Sequence, residues 1–202
     1  MDTLSLNQIE QHLHLLVKQR TVLVLPGWNG SGPDHWQTIW ERKYPSLKRV
    51  VQHDWAKPRV QDWADAISEA VWRAESPVVL VAHSLACIAV AHWARTERAL
   101  TRSVEAALLV TPADVEDATR SPEALRHFAP IPRGRLPFLS TVVGSENDPY
   151  MSLATARELA ADWESALINA GRVGHINSAS GHGLWTEGEQ YLTGLLGKRM
   201  AA

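Results

Sequence analysis

Three residues of complementary chemistry stand just past apolar stretches of this chain: Ser84, Asp148 and His175. A hydroxyl, a carboxylate and an imidazole together can run acyl transfer. The serine attacks a carbonyl, the imidazole takes its proton and later returns it to the leaving group, and the carboxylate holds the imidazole in the working tautomer. Ser84 has the most telling surroundings. The run Val78-Val79-Leu80-Val81 breaks at Ala82-His83-Ser84-Leu85-Ala86 and passes directly into an Ala-rich helical pattern. A serine on so sharp a strand-to-helix turn is a nucleophile elbow. The residues two before and two after it must be small to let the backbones cross. Glycine is the usual choice, and alanine (Ala82 and Ala86) is the next smallest.

Each position has a competing explanation. Ser84 could simply cap the following helix. Asp148 precedes Pro149, and Asp-Pro is also a good helix start, although Ser152 offers a separate cap. Asp114, which also follows an apolar run, is the other candidate acid. His182, in Ser180-Gly181-His182-Gly183, competes with His175. His175 is preferred because a strand predicted near 170–174 would fix its backbone directly, and His182 would then line the cleft. His83 cannot fold back onto its neighbour Ser84 and should pack or hydrogen-bond to an adjacent loop. An oxyanion needs backbone donors. Leu85, after the nucleophile, supplies one, and Trp28 supplies the other from the glycine-rich loop Pro26-Gly27-Trp28-Asn29-Gly30, with Asn29 as the alternative.

The elements that must position these groups alternate regularly. Strands are predicted at Thr21–Leu25, Lys48–Val51, Val78–Ala82, Val104–Thr111, Pro137–Val143 and near 170–174. Helices are predicted at Leu4–Val17, about 34–42, 60–73, Leu85–Arg95, 152–161 and about 187–196, with a short one at 122–127. Six apolar strands alternating with helices predict a parallel, doubly wound sheet in an α/β fold, with helices on both faces. Functional groups then collect at the carboxyl ends of the strands. The connection from Val115 to Leu136 is too short for a large lid.

At 202 residues and 22.4 kDa, with 45% hydrophobic content, the chain suits one domain over 1–202, with residues 1–20 as an N-terminal helical extension. A net charge of -2 and a pI near 6.5 leave no electrostatic footprint for nucleic acid. The single Cys87 permits no internal disulfide and should be a buried thiol. No signal-peptide pattern or membrane-length apolar run is visible, so a cytoplasmic protein is expected. The glycine-rich loop lacks the Lys-Ser/Thr ending of a phosphate-binding loop. The remaining histidines (His12, His14, His35, His53, His92 and His127) form no metal-ligand motif, so neither metal nor cofactor is expected. Of the nine tryptophans, Trp63, Trp72, Trp93 and Trp163 fall in helices and should pack. Trp28, Trp55 and Trp185 fall on loops at the functional edge and could line an acyl pocket.

Taken together, the sequence resembles the small α/β hydrolases of the retinoblastoma-binding protein 9 / YdeN type, from about Thr21 to Gly197. The resemblance is carried by Leu25-Pro26-Gly27-Trp28, Asp34-His35-Trp36, Ala82-His83-Ser84-Leu85-Ala86, Gly144-Ser145-x-Asn147-Asp148-Pro149-Tyr150, Gly174-His175-Ile176-Asn177 and Ser180-Gly181. It implies a compact serine hydrolase with Ser84, Asp148 and His175 as its triad. The Leu-x-Cys-x-Glu segment associated with pocket-protein binding is not matched, since Leu85-Ala86-Cys87-Ile88-Ala89 lacks the glutamate. The expected substrate is a small ester, with an amide or thioester as the alternatives. The contrasting expectation is a hydrolase-like binding module that keeps the three residues without turnover.

Overall fold

The computed structural model describes residues 6–197, with Leu4 and Ser5 of the predicted first helix outside them. Six strands form one sheet: β1 (Thr21–Leu25), β2 (Leu47–Arg49), β3 (Val78–His83), β4 (Val104–Val110), β5 (Leu139–Gly144) and β6 (Ala166–Asn169). The helices are α1 (Leu6–Lys18), α2 (Trp36–Lys43), α3 (Val60–Trp72), α4 (Leu85–Thr96), α5 (Leu153–Asp162) and α6 (Thr186–Gly197). The strand order is β2-β1-β3-β4-β5-β6, and every ladder is parallel. This is the α/β-hydrolase arrangement.

Side-chain alternation along the strands builds two cores. Leu23, Leu25, Leu80, Ala82, Ala107 and Leu109 face α3, α4 and α5. Val22, Val24, Val79, Val81, Leu108 and Val110 face α1, α2 and α6. Successive residues of a strand point to opposite faces, so a strand covered on both sides must be apolar throughout. β1 and β3 are completely buried, as that requires. The chain leaves β1 for β2 on one side and returns to β3 on the other. That reversal opens a crevice at the carboxyl ends of β1 and β3.

The sixth strand is where the sequence reading fails. It is Ala166–Asn169, paired with β5 from Thr141↔Ala166 to Gly144↔Asn169, and not 170–174. As an edge strand it is only partly buried, so it lacks the apolar run that marks the inner strands. Residues 170–174 cannot continue it, because Gly171 (φ 79°) and Gly174 (φ 65°) are both left-handed. Smaller shifts occur elsewhere. β2 begins one residue earlier, at Leu47, and stops at Arg49. α2 starts at Trp36 because the His35 side chain caps it, with Nδ1 accepting from Gln37 N–H at 3.2 Å. The predicted short helix is a 3-10 segment, Glu123–Phe128, the only helical element between β4 and β5 among the described residues.

Trp63, Trp93 and Trp163 are buried, but Trp72 is 75% exposed on the last turn of α3 and packs no core. Trp185 is also buried, edge-on to Trp36 and stacked on Trp40 beneath the sheet. It therefore belongs to packing and not to an acyl pocket. No helix among the described residues is long and apolar enough to cross a membrane.

Candidate active site

Ser84 sits between β3 and α4 with φ 57° and ψ −123°, a strained conformation for a residue with a side chain. The strain is held in place on both sides. Ser84 N–H donates to Val110 O at 2.9 Å, and Ala82 and Ala86 are buried beside it. The alanines fill the flanking positions without disturbing the turn. The Ser84 side chain makes no capping bond to its helix. Its Oγ lies 2.9 Å from His175 Nε2 instead.

On its other side, His175 Nδ1 lies 2.9 Å from both oxygens of Asp148. An Nδ1–H donated to the carboxylate leaves Nε2 as the acceptor for the serine hydroxyl. His175 and Asp148 are 6% exposed, so this chain of bonds is largely shielded from water. Asp148 Oδ1 also accepts from Tyr150 N–H at 2.9 Å, and the Tyr150 ring meets His175 edge-on at 4.5 Å. Ser152 caps α5, leaving Asp148 to the imidazole.

His175 does not follow a strand, since residues 170–174 intervene, so its position needs another cause. Side chains tether the loop. Asn147 Oδ1 accepts from Gly174 N–H at 2.8 Å, and Ser145 Oγ accepts from Val173 N–H at 3.2 Å. The His175 carbonyl accepts from His83 Nε2–H at 2.9 Å and from Thr111 Oγ–H at 3.1 Å. Trp36 Nε1–H donates to Ile176 O at 2.8 Å. Sequence reasoning assigned no role to Ser145, Asn147, Thr111 or Trp36. The signal available was the polar pair Ser145 and Asn147 just ahead of Asp148.

His182 stays apart, with Nδ1 3.1 Å from Ser180 Oγ and its ring beside Trp185. It does not line the cleft, contrary to expectation. Asp114 is not joined to either histidine. Its Oδ1 accepts from the N–H groups of Glu116 and Asp117, both at 3.1 Å, forming a local turn.

The loop after β1 approaches the elbow closely. A Cβ on Gly27 would come 2.8 Å from Ser84 Cβ and 3.0 Å from His83 O, so only glycine fits. Asn29 N–H is engaged by Trp55 O at 3.0 Å. The N–H groups of Trp28 and Leu85 have no partner among the described residues. Buried Gln37 ties the two strand ends together, donating to Leu25 O at 3.1 Å and Val81 O at 3.2 Å. The cleft over Ser84 holds about 250 Å³. Trp28 is the one tryptophan among its lining residues; Trp55 packs on Gly30 and Trp63.

Two histidines beneath the site are kept neutral. Burial, helped by Arg49, pushes His35 down to about 4, and burial lowers His83 well below its ordinary value. An unfolded chain takes up these protons near 6.5 while the folded one refuses them. The stability they contribute is therefore complete above pH 6.5 and is lost as pH falls toward 4. For His35 the loss is roughly 3 kcal/mol. Urea midpoints should fall accordingly between pH 7.5 and 4.5. His35→Asn, which keeps a capping oxygen, should flatten the slope.

Residues 22–194 match the serine hydrolase family model. The chain belongs to that family. A solved structure described as a YdeN-like hydrolase, from Pectobacterium atrosepticum, is 28% identical, covering 93% of this chain and 96% of its own, with a TM-score of 0.83. The ydeN gene product of Bacillus subtilis is 18% identical over 89% of this chain and 99% of its own, with a TM-score of 0.69. An α/β-superfamily hydrolase of Xanthomonas campestris shares the fold at 17% identity, over 90% of this chain and 99% of its own, with a TM-score of 0.56. No curated protein matches the chain significantly. This serine hydrolase is thus a small α/β enzyme of the YdeN type.

Proposed function

We propose that this hydrolase cleaves a small carboxylic ester through an acyl-enzyme formed on Ser84. The observation that carries the reading is the continuous bonded chain from Ser84 Oγ through His175 to Asp148, each link 2.9 Å long. His175 Nε2 takes the Ser84 proton as Oγ attacks the ester carbonyl. The tetrahedral oxyanion is received by the free N–H groups of Leu85 and Trp28. Asn29 is the weaker candidate because its N–H is already engaged. Collapse expels the alcohol, which takes the proton from His175. Water then repeats the sequence on the acyl-enzyme and releases the acid. Asp148 stabilises the imidazolium between these steps. The volume of about 250 Å³ supports a small substrate.

A fluorophosphonate probe tests the mechanism, because it labels an activated serine readily. Wild type should be labelled stoichiometrically, with the adduct on the Ser84 peptide by mass spectrometry. Ser84→Ala, shown folded by circular dichroism, should remain unlabelled and should lose the burst and turnover of p-nitrophenyl acetate. Unlabelled wild type without ester turnover would instead favour a binding module on a hydrolase fold.

A further inference from the structure

We propose that the cleft wall formed by the β4–β5 connection is a subsite for a hydroxyl group on the substrate, with Asp114 Oδ2 and Ser121 Oγ as its two partners. The proposal rests on the ester-hydrolase reading and names the kind of ester. Both residues line the cleft beside Ser84, and both are only 7% exposed. Asp114 is anchored through its N–H to Tyr150 O at 3.0 Å, which ties it to the segment carrying Asp148. Its Oδ1 is occupied by the local turn. Its Oδ2 has no hydrogen-bond partner, and the carboxylate has no ion-pair partner, among the described residues. Ser121 Oγ is buried and likewise without a partner.

Ser121 Oγ is a polar atom buried without a partner, which costs free energy until a ligand completes it, whereas Asp114 Oδ2 retains some exposure on the cleft wall. The pair is selective. Oδ2 can only accept, whereas Ser121 can donate. A substrate hydroxyl can donate to the first and accept from the second. An anionic substituent would meet the Asp114 carboxylate. Arg120 lines the same cleft, held by Asp117 at 3.2 Å and by the carbonyls of Asp148 and Pro149, and sets a positive charge near that carboxylate, so a neutral substituent suits this wall.

The test compares p-nitrophenyl butyrate with its 2-hydroxy, 3-hydroxy, 4-amino and 3-carboxy analogues. One hydroxylated ester should exceed butyrate in kcat/KM by about tenfold or more, the range of a hydrogen bond to a charged group. Asp114→Asn keeps the turn-forming oxygen but presents N–H in place of Oδ2, and should bring that ratio close to one. Ser121→Ala should lower it partway. Equal kcat/KM for hydroxylated and plain esters in wild type would overturn the proposal. So would a ratio unchanged in both variants, or a preference for either charged ester. Binding of 3-hydroxybutyramide against butyramide to Ser84→Ala protein, followed by NMR titration, reads the subsite without turnover. Tighter binding of the hydroxylated amide would uphold the subsite even if Ser84 proved not to be the nucleophile, and equal binding would overturn it.

Discussion

Asp148→Asn is expected to lower kcat for p-nitrophenyl butyrate by about ten-thousandfold, with His175→Ala at least as damaging. Both Asp148 oxygens lie 2.9 Å from His175 Nδ1, and Oδ1 is also fixed by Tyr150 N–H. An amide in that place keeps the size and the Tyr150 bond. It no longer requires the proton to sit on Nδ1, and it offers no charge to stabilise the imidazolium. The loss should therefore fall on kcat, with KM little moved, because the interaction matters only while the imidazole holds the second proton. His182→Ala is the informative comparison. His182 bonds to Ser180 and packs beside Trp185, outside the cleft, so its removal should leave esterase activity close to wild type. Comparable losses from His175→Ala and His182→Ala, measured on folded proteins by stopped-flow burst kinetics, would withdraw the general-base role from His175.

The physical reasons for what the sequence revealed are visible in these same residues. The inner strands are covered on both faces, so β1, β3 and β4 announce themselves as apolar runs, and the elbow is marked by small residues on both sides of Ser84. Ser84, Asp148 and His175 could be proposed because parallel strands deliver their carboxyl ends to one edge. The edge strand β6 was hidden because Ala166–Asn169 is half solvated and so carries no apolar run. Its misplacement gave a false reason for preferring His175 over His182, since the tethers that hold His175 are Asn147, Ser145, Thr111 and His83, brought together from three segments. Long-range side-chain bonds of that kind leave no periodic trace. Trp72 shows the converse limit: its helical position suggested packing, and only the outward direction of its side chain shows otherwise.

Gly27→Ala is expected to lower kcat by about a hundred- to a thousandfold, the scale of losing one oxyanion donor. The added methyl group would meet Ser84 Cβ at 2.8 Å and His83 O at 3.0 Å. The elbow cannot yield, because Ser84 N–H is bonded to Val110 O and its flanks are buried among strands and α4. The loop must move instead, and Trp28 N–H moves with it. Its neighbours resist, since Gly30 N–H bonds to Gly27 O and Asn29 N–H to Trp55 O, each at 3.0 Å. Some of the strain should therefore appear as lost stability, about 1–3 kcal/mol for an overpacked site. The two effects separate experimentally. Urea unfolding reports the strain, and single-turnover acylation reports the donor. Gly32→Ala provides the control, because a Cβ there meets nothing within 4 Å. A folded Gly27→Ala protein with the wild-type acylation rate would remove the β1 loop from the oxyanion hole. The second donor would then have to come from elsewhere in the cleft.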